Sequence, residues 1–266
     1  MSVLAKRVLS AFVMAPLILG LVWLGDPWYW AGVTAVAILA GYEYLRLVSR
    51  AGERPDYFLA MLLILIFMVG ALYPSSWELI RGGVALLLLL SLLWQMMARE
   101  ERLSVGGWAL SLGGAFYVGF LLSHFVLLRN LPRGLEWTLM AFFPAWANDT
   151  GAYFVGRWVG RHPFAPRISP KKTWEGSVGG WVTGVAIALL GGAILRWPLV
   201  HALLLGVLIV LAATGGDLVE SMFKRWAGVK DSGRLIPGHG GVLDRLDSLL
   251  FAVVVVYYYL LWVMGV

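Results

Sequence analysis

The chain has 266 residues, of which 60% are hydrophobic and 14% charged, and its mean hydropathy is +0.80. A soluble domain is roughly half apolar and about a quarter charged, so a single water-soluble core is excluded. Disorder is excluded too, because it goes with low hydrophobicity and high charge.

A polytopic, all-α membrane bundle remains. The net charge of +6 is scattered through short loops between apolar runs, which is how topology charges are distributed. No nucleic acid is expected as a partner. Cysteine is absent, which removes disulfides, thiolate zinc sites and a cysteine nucleophile.

Apolar runs long enough to cross a bilayer, at about 20 residues each, fall at 8–24, 28–48, 57–73, 79–97, 104–128, 136–156, 175–195, 199–222 and 246–264. The first follows Lys6 and Arg7, lacks a small-x-small cleavage site and reads as a retained helix. With a cytoplasmic N-terminus, the inside segments carry Lys6, Arg7, Arg46, Arg50, Arg54, Arg99, Arg102, Arg157, Arg161, Arg167, Lys171, Lys172, Lys224, Arg225, Lys230, Arg234 and Arg245. Only Arg81, Arg129, Arg133 and Arg196 fall outside. That asymmetry supports nine spans and this orientation.

Residues 1–102 read as scaffold helices and 103–266 as the part carrying chemistry, with a cytoplasm-facing polar funnel in this C-terminal half. In the seventh span Gly176, Gly180 and Gly184 recur on one helix face, which points to close helix–helix packing. His124 and His201 look like lone helix histidines.

Ionisable residues inside spans are costly and mark function or internal pairing. Asp149 stands beside Asn148 in the sixth span, and Asp217 and Glu220 lie in the eighth. Asp217, Ser221 and Lys224 share a face there. A buried ion pair between Asp217 or Glu220 and Lys224 or Arg225 accounts for them as well as a catalytic role does.

Asp244 and Asp247, spaced i and i+3, are expected on one face at the start of the ninth span, where a helix N-terminus favours negative charge. Together with Asp217 they also suit magnesium, which takes few carboxylates and completes its shell with water and phosphate oxygens. The basic complement is near: Ser169, Lys171 and Lys172 lead directly into a helix whose first turn holds Glu175. Lys224, Arg225 and Lys230 precede the turn His239-Gly240-Gly241. A helix N-terminus and a glycine turn both bring backbone amides to phosphate.

The run from Ser221 to Asp247, with Lys224, Arg225, Lys230, Asp231, His239, Gly240, Gly241, Asp244 and Arg245 at its fixed positions, resembles the signature of the phosphatidate cytidylyltransferases. The segments SPKKTWEG and NDTGAYFVGR are similar to that family as well. The signature covers about a tenth of the chain, and the N-terminal third carries no motif beyond its hydropathy.

The resemblance implies transfer of CMP from CTP to phosphatidic acid, with magnesium, a monovalent cation such as potassium, membrane lipids around the protein, and a homodimer. A bacterial inner membrane is implied as the location. It gives Asp217, Asp244 and Asp247 to the metal, with the orientation of a lysine as the alternative role of Asp217, and Lys171, Lys172, Lys224 and Arg225 to the phosphates. His239, Gly240 and Gly241 would shape or contact the phosphate turn, and Asn148 and Asp149 would line the pocket. Ser169, Glu175, Ser221 and Lys230 join the substrate-binding set. Asp231 and Arg245 either pair with each other or touch substrate. The alternative is a secondary transporter of an anionic substrate, which would show paired broken helices in two repeated halves. No such N-terminal copy is visible.

Overall fold

The computed structural model describes residues 3–97, 104–236 and 240–266. Among the described residues the chain forms nine helical rods, one for each apolar run. They are α1 (Val3–Leu24), α2 (Trp28–Arg50), α3 (Tyr57–Leu72) and α4 (Trp77–Met97), then α5 (Val105–Gly114), which continues through a π-turn into α6 (Leu121–Arg129). They continue with α7 (Gly134–Val159), α8 (Trp174–Ile194), α9 (Leu199–Trp226) and α10 (Asp247–Tyr259), which a further π-turn extends to Met264. Six rods are long and apolar enough to cross a membrane: Trp28–Arg50, Pro74–Met97, Val105–Arg129, Trp174–Ile194, Leu199–Trp226 and Asp247–Met264. This is an all-α polytopic membrane protein.

Local chemistry sets the helix starts. Asp56 accepts a hydrogen bond from the Leu59 amide at 3.0 Å, Ser104 from Gly107 at 3.0 Å and Thr173 from Gly176 at 3.2 Å. Each cap satisfies an amide that the first helical turn leaves unpaired. One element escapes the span reading. Residues 163–173 form a small antiparallel hairpin, β1 (Pro163–Ala165) with β2 (Ser169–Thr173), in register Pro163 to Thr173 and Ala165 to Ser169. It is too short and too polar to show in a hydropathy profile.

The chain divides into two compact units, neither of them bounded at residue 102. The first holds residues 1–127 and 226–245, and the second 128–225 and 246–266. In the first, α3 packs under the π-turn, where a Cβ on Gly119 would stand 2.8 Å from the Ile64 Cα. In the second, α7 and α8 lie backbone to backbone along the glycine stripe. A Cβ on Gly180 would sit 2.6 Å from the Asn148 carbonyl oxygen, and one on Gly184 would sit 2.8 Å from that of Pro144. The spacing of Gly176, Gly180 and Gly184 therefore does serve packing. Without a hydrophobic force between helices in lipid, such close approach is what holds them together.

Candidate functional site

Within the second unit, four elements converge on a polar cluster. Lys172 lies near the end of β2, and its Nζ donates to Asp217 Oδ2 on α9 at 2.8 Å. Asp149 on α7 interacts electrostatically with both of these charges. Its Oδ2 accepts a hydrogen bond from Ser248 Oγ on α10 at 2.8 Å, and its Oδ1 accepts one from Asn148 Nδ2 at 3.2 Å. The Ser248 amide donates to Asp247 Oδ1 at 2.8 Å. Asn148, Asp149, Lys172, Asp217 and Asp247 thus lie in one polar cluster. Ser248 joins them although the sequence reading passed over it.

The hairpin that carries Lys172 is fixed at both ends. The Glu175 carboxylate accepts from the Arg161 amide at 3.1 Å, the His162 amide at 3.2 Å and His162 Nδ1 at 2.5 Å. Arg225 Nε donates to the Ile168 carbonyl at 3.1 Å. Phe164 packs edge-on against Trp174, with ring centroids 4.5 Å apart. Glu175 and Arg225 therefore have work in holding the hairpin, while Lys171 is exposed beside Lys172, and Ser169 is half-buried at the start of β2. Lys224 forms an ion pair with Glu220 one turn earlier on α9, which is the internal pairing the sequence allowed. Ser221 is buried on the same helix.

The histidines His124 and His201 stay outside this cluster. His124 Nδ1 bonds the Phe120 carbonyl at 2.8 Å, and His201 Nδ1 bonds Tyr259 Oη at 2.8 Å.

The first unit contains residues 227–236 and 240–245 of the loop after α9 and organises them around a different carboxylate. Asp244 Oδ2 accepts from the Ser232 amide, the Ser232 hydroxyl and the Gly241 amide, all at 2.8 Å. Asp244 is buried in a 3-10 turn (Leu243–Arg245), and α10 starts only at Asp247. The expected shared helical face of Asp244 and Asp247 is corrected accordingly, because the loop captures Asp244 before the helix begins.

Among the described residues no ion pair joins Asp231 to Arg245; both are exposed, as is Lys230. Gly240 takes φ +84°, a left-handed conformation suited to glycine, and a Cβ there would meet Asp244 Oδ2 at 2.6 Å. His239 lies outside the described residues, as do Arg99 and Arg102.

Glu43 is the residue that the sequence reading missed altogether. It is buried on α2, and its Oε2 accepts from Ser232 Oγ at 3.1 Å and from the Leu243 amide at 2.9 Å. The rule that flagged Asp149 and Asp217, an ionisable residue inside an apolar span, applies to it equally.

Magnesium can be tested against these donors. Among the described residues no group of three His, Cys, Asp or Glu side chains is gathered as a site on its own. In the second unit the carboxylates of Asp149 and Asp247 converge on one serine hydroxyl, at 2.8 and 3.4 Å, while Asp217, in electrostatic reach of Asp149, is paired with Lys172. Such a set fits a cation that uses one or two carboxylates and fills its shell with water and phosphate oxygens.

Comparison with known proteins gives the family of the chain. The profile described as the cytidylyltransferase family matches residues 5–263. A phosphatidate cytidylyltransferase of Synechocystis is 36% identical, with 98% of each chain covered. That of Bacillus subtilis is 34% identical over 96% of this chain and 97% of its own. That of Haemophilus influenzae is 35% identical over 98% of this chain and 100% of its own.

Proposed function

This chain belongs to the cytidylyltransferase family, and from that premise we propose that it transfers the cytidylyl group of CTP to phosphatidate, giving CDP-diacylglycerol and pyrophosphate. The observation that carries this reading is the Lys172–Asp217 pair beside Asp149 and Ser248, in a chain that matches phosphatidate cytidylyltransferases along nearly its whole length. A transporter is not favoured by that match.

The reaction needs little covalent help. The phosphate of phosphatidate has a second pKa of about 6 and is largely dianionic at neutral pH, so it attacks without a strong general base. An oxygen of that phosphate bonds to the α-phosphorus of CTP. The bond from this phosphorus to the bridging β-oxygen breaks, and its electron pair leaves with pyrophosphate. The obstacle is the meeting of two polyanions, and the protein's part is to neutralise charge and hold the partners in line.

Lys172 is oriented for this by Asp217, with Lys171 next to it on the exposed hairpin. Lys224 and Arg225, at the end of α9, complete the basic set of this unit. Magnesium, held by Asp247 with Asp149 and Asp217 beside it, would supply further neutralisation of phosphate oxygens. Asp244 enters as the residue that ties Ser232 to Gly241 by taking both backbone amides, while Gly240, in its left-handed conformation, lets the backbone beside it approach phosphate. A homodimer, a bacterial inner membrane, a cytoplasmic N-terminus and a cytoplasm-facing site complete the proposal. The excess of basic residues on one set of loops supports the orientation.

The test is an assay of purified protein in detergent with phosphatidate, labelled CTP and magnesium, alongside Asp217→Asn. Label entering the lipid phase with wild type, and falling sharply with the variant or with EDTA, is expected. A folded wild-type protein that leaves all label in the aqueous phase would overturn the reading.

A further inference from the structure

We infer that Glu43, on a helix otherwise read as scaffold, is a positioning residue that holds Ser232 and the turn 240–244 of the loop after α9 in their working arrangement. The inference rests on the reading of that loop as phosphate-binding, and it concerns the first compact unit alone.

The loop is tied at two places. Asp244 gathers Ser232 and Gly241 from within the loop itself. Glu43 comes from 189 residues before Ser232 and 200 before Leu243, and grips one residue at each end. Ser232 Oγ lies 2.8 Å from Asp244 Oδ2 and 3.1 Å from Glu43 Oε2. With a single proton to give, it links the two carboxylates into one network. The Leu243 amide has Glu43 as its acceptor, next to the 3-10 turn that holds Asp244.

Two glycines make room for the carboxylate. A Cβ on Gly233 would stand 2.2 Å from Glu43 Oε1, and one on Gly241 would stand 2.2 Å from Oε2. Glu43 therefore fills a slot shaped for it, with only 6% of its surface exposed. A carboxylate buried in an apolar helix is costly to keep. If it served packing alone, an apolar side chain would do as well. What an apolar side chain cannot do is accept from Ser232 and Leu243, and those contacts set the path of the loop around Gly240 and Gly241.

The experiment reads loop order separately from activity. Arg234 is exposed in this loop and is followed by Leu235, so trypsin can cut there once the loop opens. Glu43→Ala, Glu43→Gln, Gly233→Ala and the double variant Glu43→Ala/Gly233→Ala are compared in detergent, with cleavage after Arg234 followed by mass spectrometry. Thermal unfolding, kcat and KM are measured on the same samples.

Glu43→Ala is expected to speed cleavage at Arg234 about tenfold and to lower kcat/KM by a similar factor, with helical content kept. Glu43→Gln, which keeps an acceptor for the Leu243 amide, should recover much of the protection. Gly233→Ala should be clearly more damaging with Glu43 present than beside Glu43→Ala, where the remaining close atom is the Gly241 Cα at 3.2 Å.

Cleavage and kinetics unchanged in Glu43→Ala, or a Gly233→Ala penalty equal in both backgrounds, would overturn the inference. If Glu43→Ala fails to fold, Ser232→Ala and Glu43→Gln decide. Unchanged cleavage in both overturns it, while faster cleavage in Ser232→Ala supports it. Should the wild type prove inactive on CTP and phosphatidate while the cleavage pattern holds, the loop anchor stands and the reaction assigned to the loop falls.

Discussion

Lys172 and Asp217 stand 45 residues apart in the chain and meet at 2.8 Å. The lysine side chain is 15% exposed and the aspartate 33%, so the pair is shielded but reachable. A lone lysine on a hairpin would wander through its rotamers. Held by Asp217 it presents a fixed positive charge, and the ordering cost is met in folding before substrate arrives.

Lys172→Met should lower kcat by about a hundredfold, the scale on which a preorganised charge-stabilising donor acts. Lys172→Arg should fail to restore it, since a planar guanidinium does not reproduce a point-like ammonium. Thermal unfolding in detergent separates this from misfolding. The double variant Lys172→Met/Asp217→Asn is expected to regain stability lost in Lys172→Met without regaining activity, because it removes the unpaired charge but not the need for a cation.

Ser248 joins Asp149 to Asp247 through one hydroxyl. Ser248→Ala deletes the donor to Asp149 and should cost about 1 kcal/mol of stability. Its more telling effect is on magnesium dependence. The half-maximal magnesium concentration should rise about tenfold or more, as happens when a group orienting metal ligands is removed. A titration of activity against magnesium measures it.

Gly180→Leu should separate α7 from α8, since even a single Cβ would press within 2.6 Å of the Asn148 carbonyl oxygen. Gly180→Ala is expected to cost about 1–3 kcal/mol, the range for overpacking a close contact. Gly113→Ala on α5 is the control. Nothing lies within 4 Å of its would-be Cβ, so the better helix propensity of alanine should leave stability unchanged or improve it slightly. Melting temperatures in one detergent compare the three.

Glu175 holds the hairpin base through two amides and His162. Glu175→Ala should loosen β1–β2, speed trypsin cleavage after the exposed Arg167 about tenfold and lower kcat without abolishing it. Glu175→Gln, which still offers a carbonyl oxygen to an amide, should fall between the two.

Among the described residues the nine rods coincide with the nine apolar runs, six of the rods being long and apolar enough to cross a membrane, because a span announces itself locally. Its length is set by the bilayer and its composition by the absence of water, and both are written in consecutive residues. The signature and the glycine stripe were legible for the same reason, since fixed spacings along one segment need no knowledge of the rest. Asp149, Lys172 and Asp217 could be named one by one from their cost inside or beside a span.

Their pairing could not. That Lys172 takes Asp217, that Ser248 bridges two aspartates, and that Glu43 on α2 clasps Ser232 and Leu243 follow from which segments fold against each other. Lys224 is the contrasting case, because Glu220 stands one turn before it on α9 and that i,i+4 spacing is already written in the sequence. A hydrogen bond extends about 3 Å, and no local pattern records which of many distant donors will arrive within that reach.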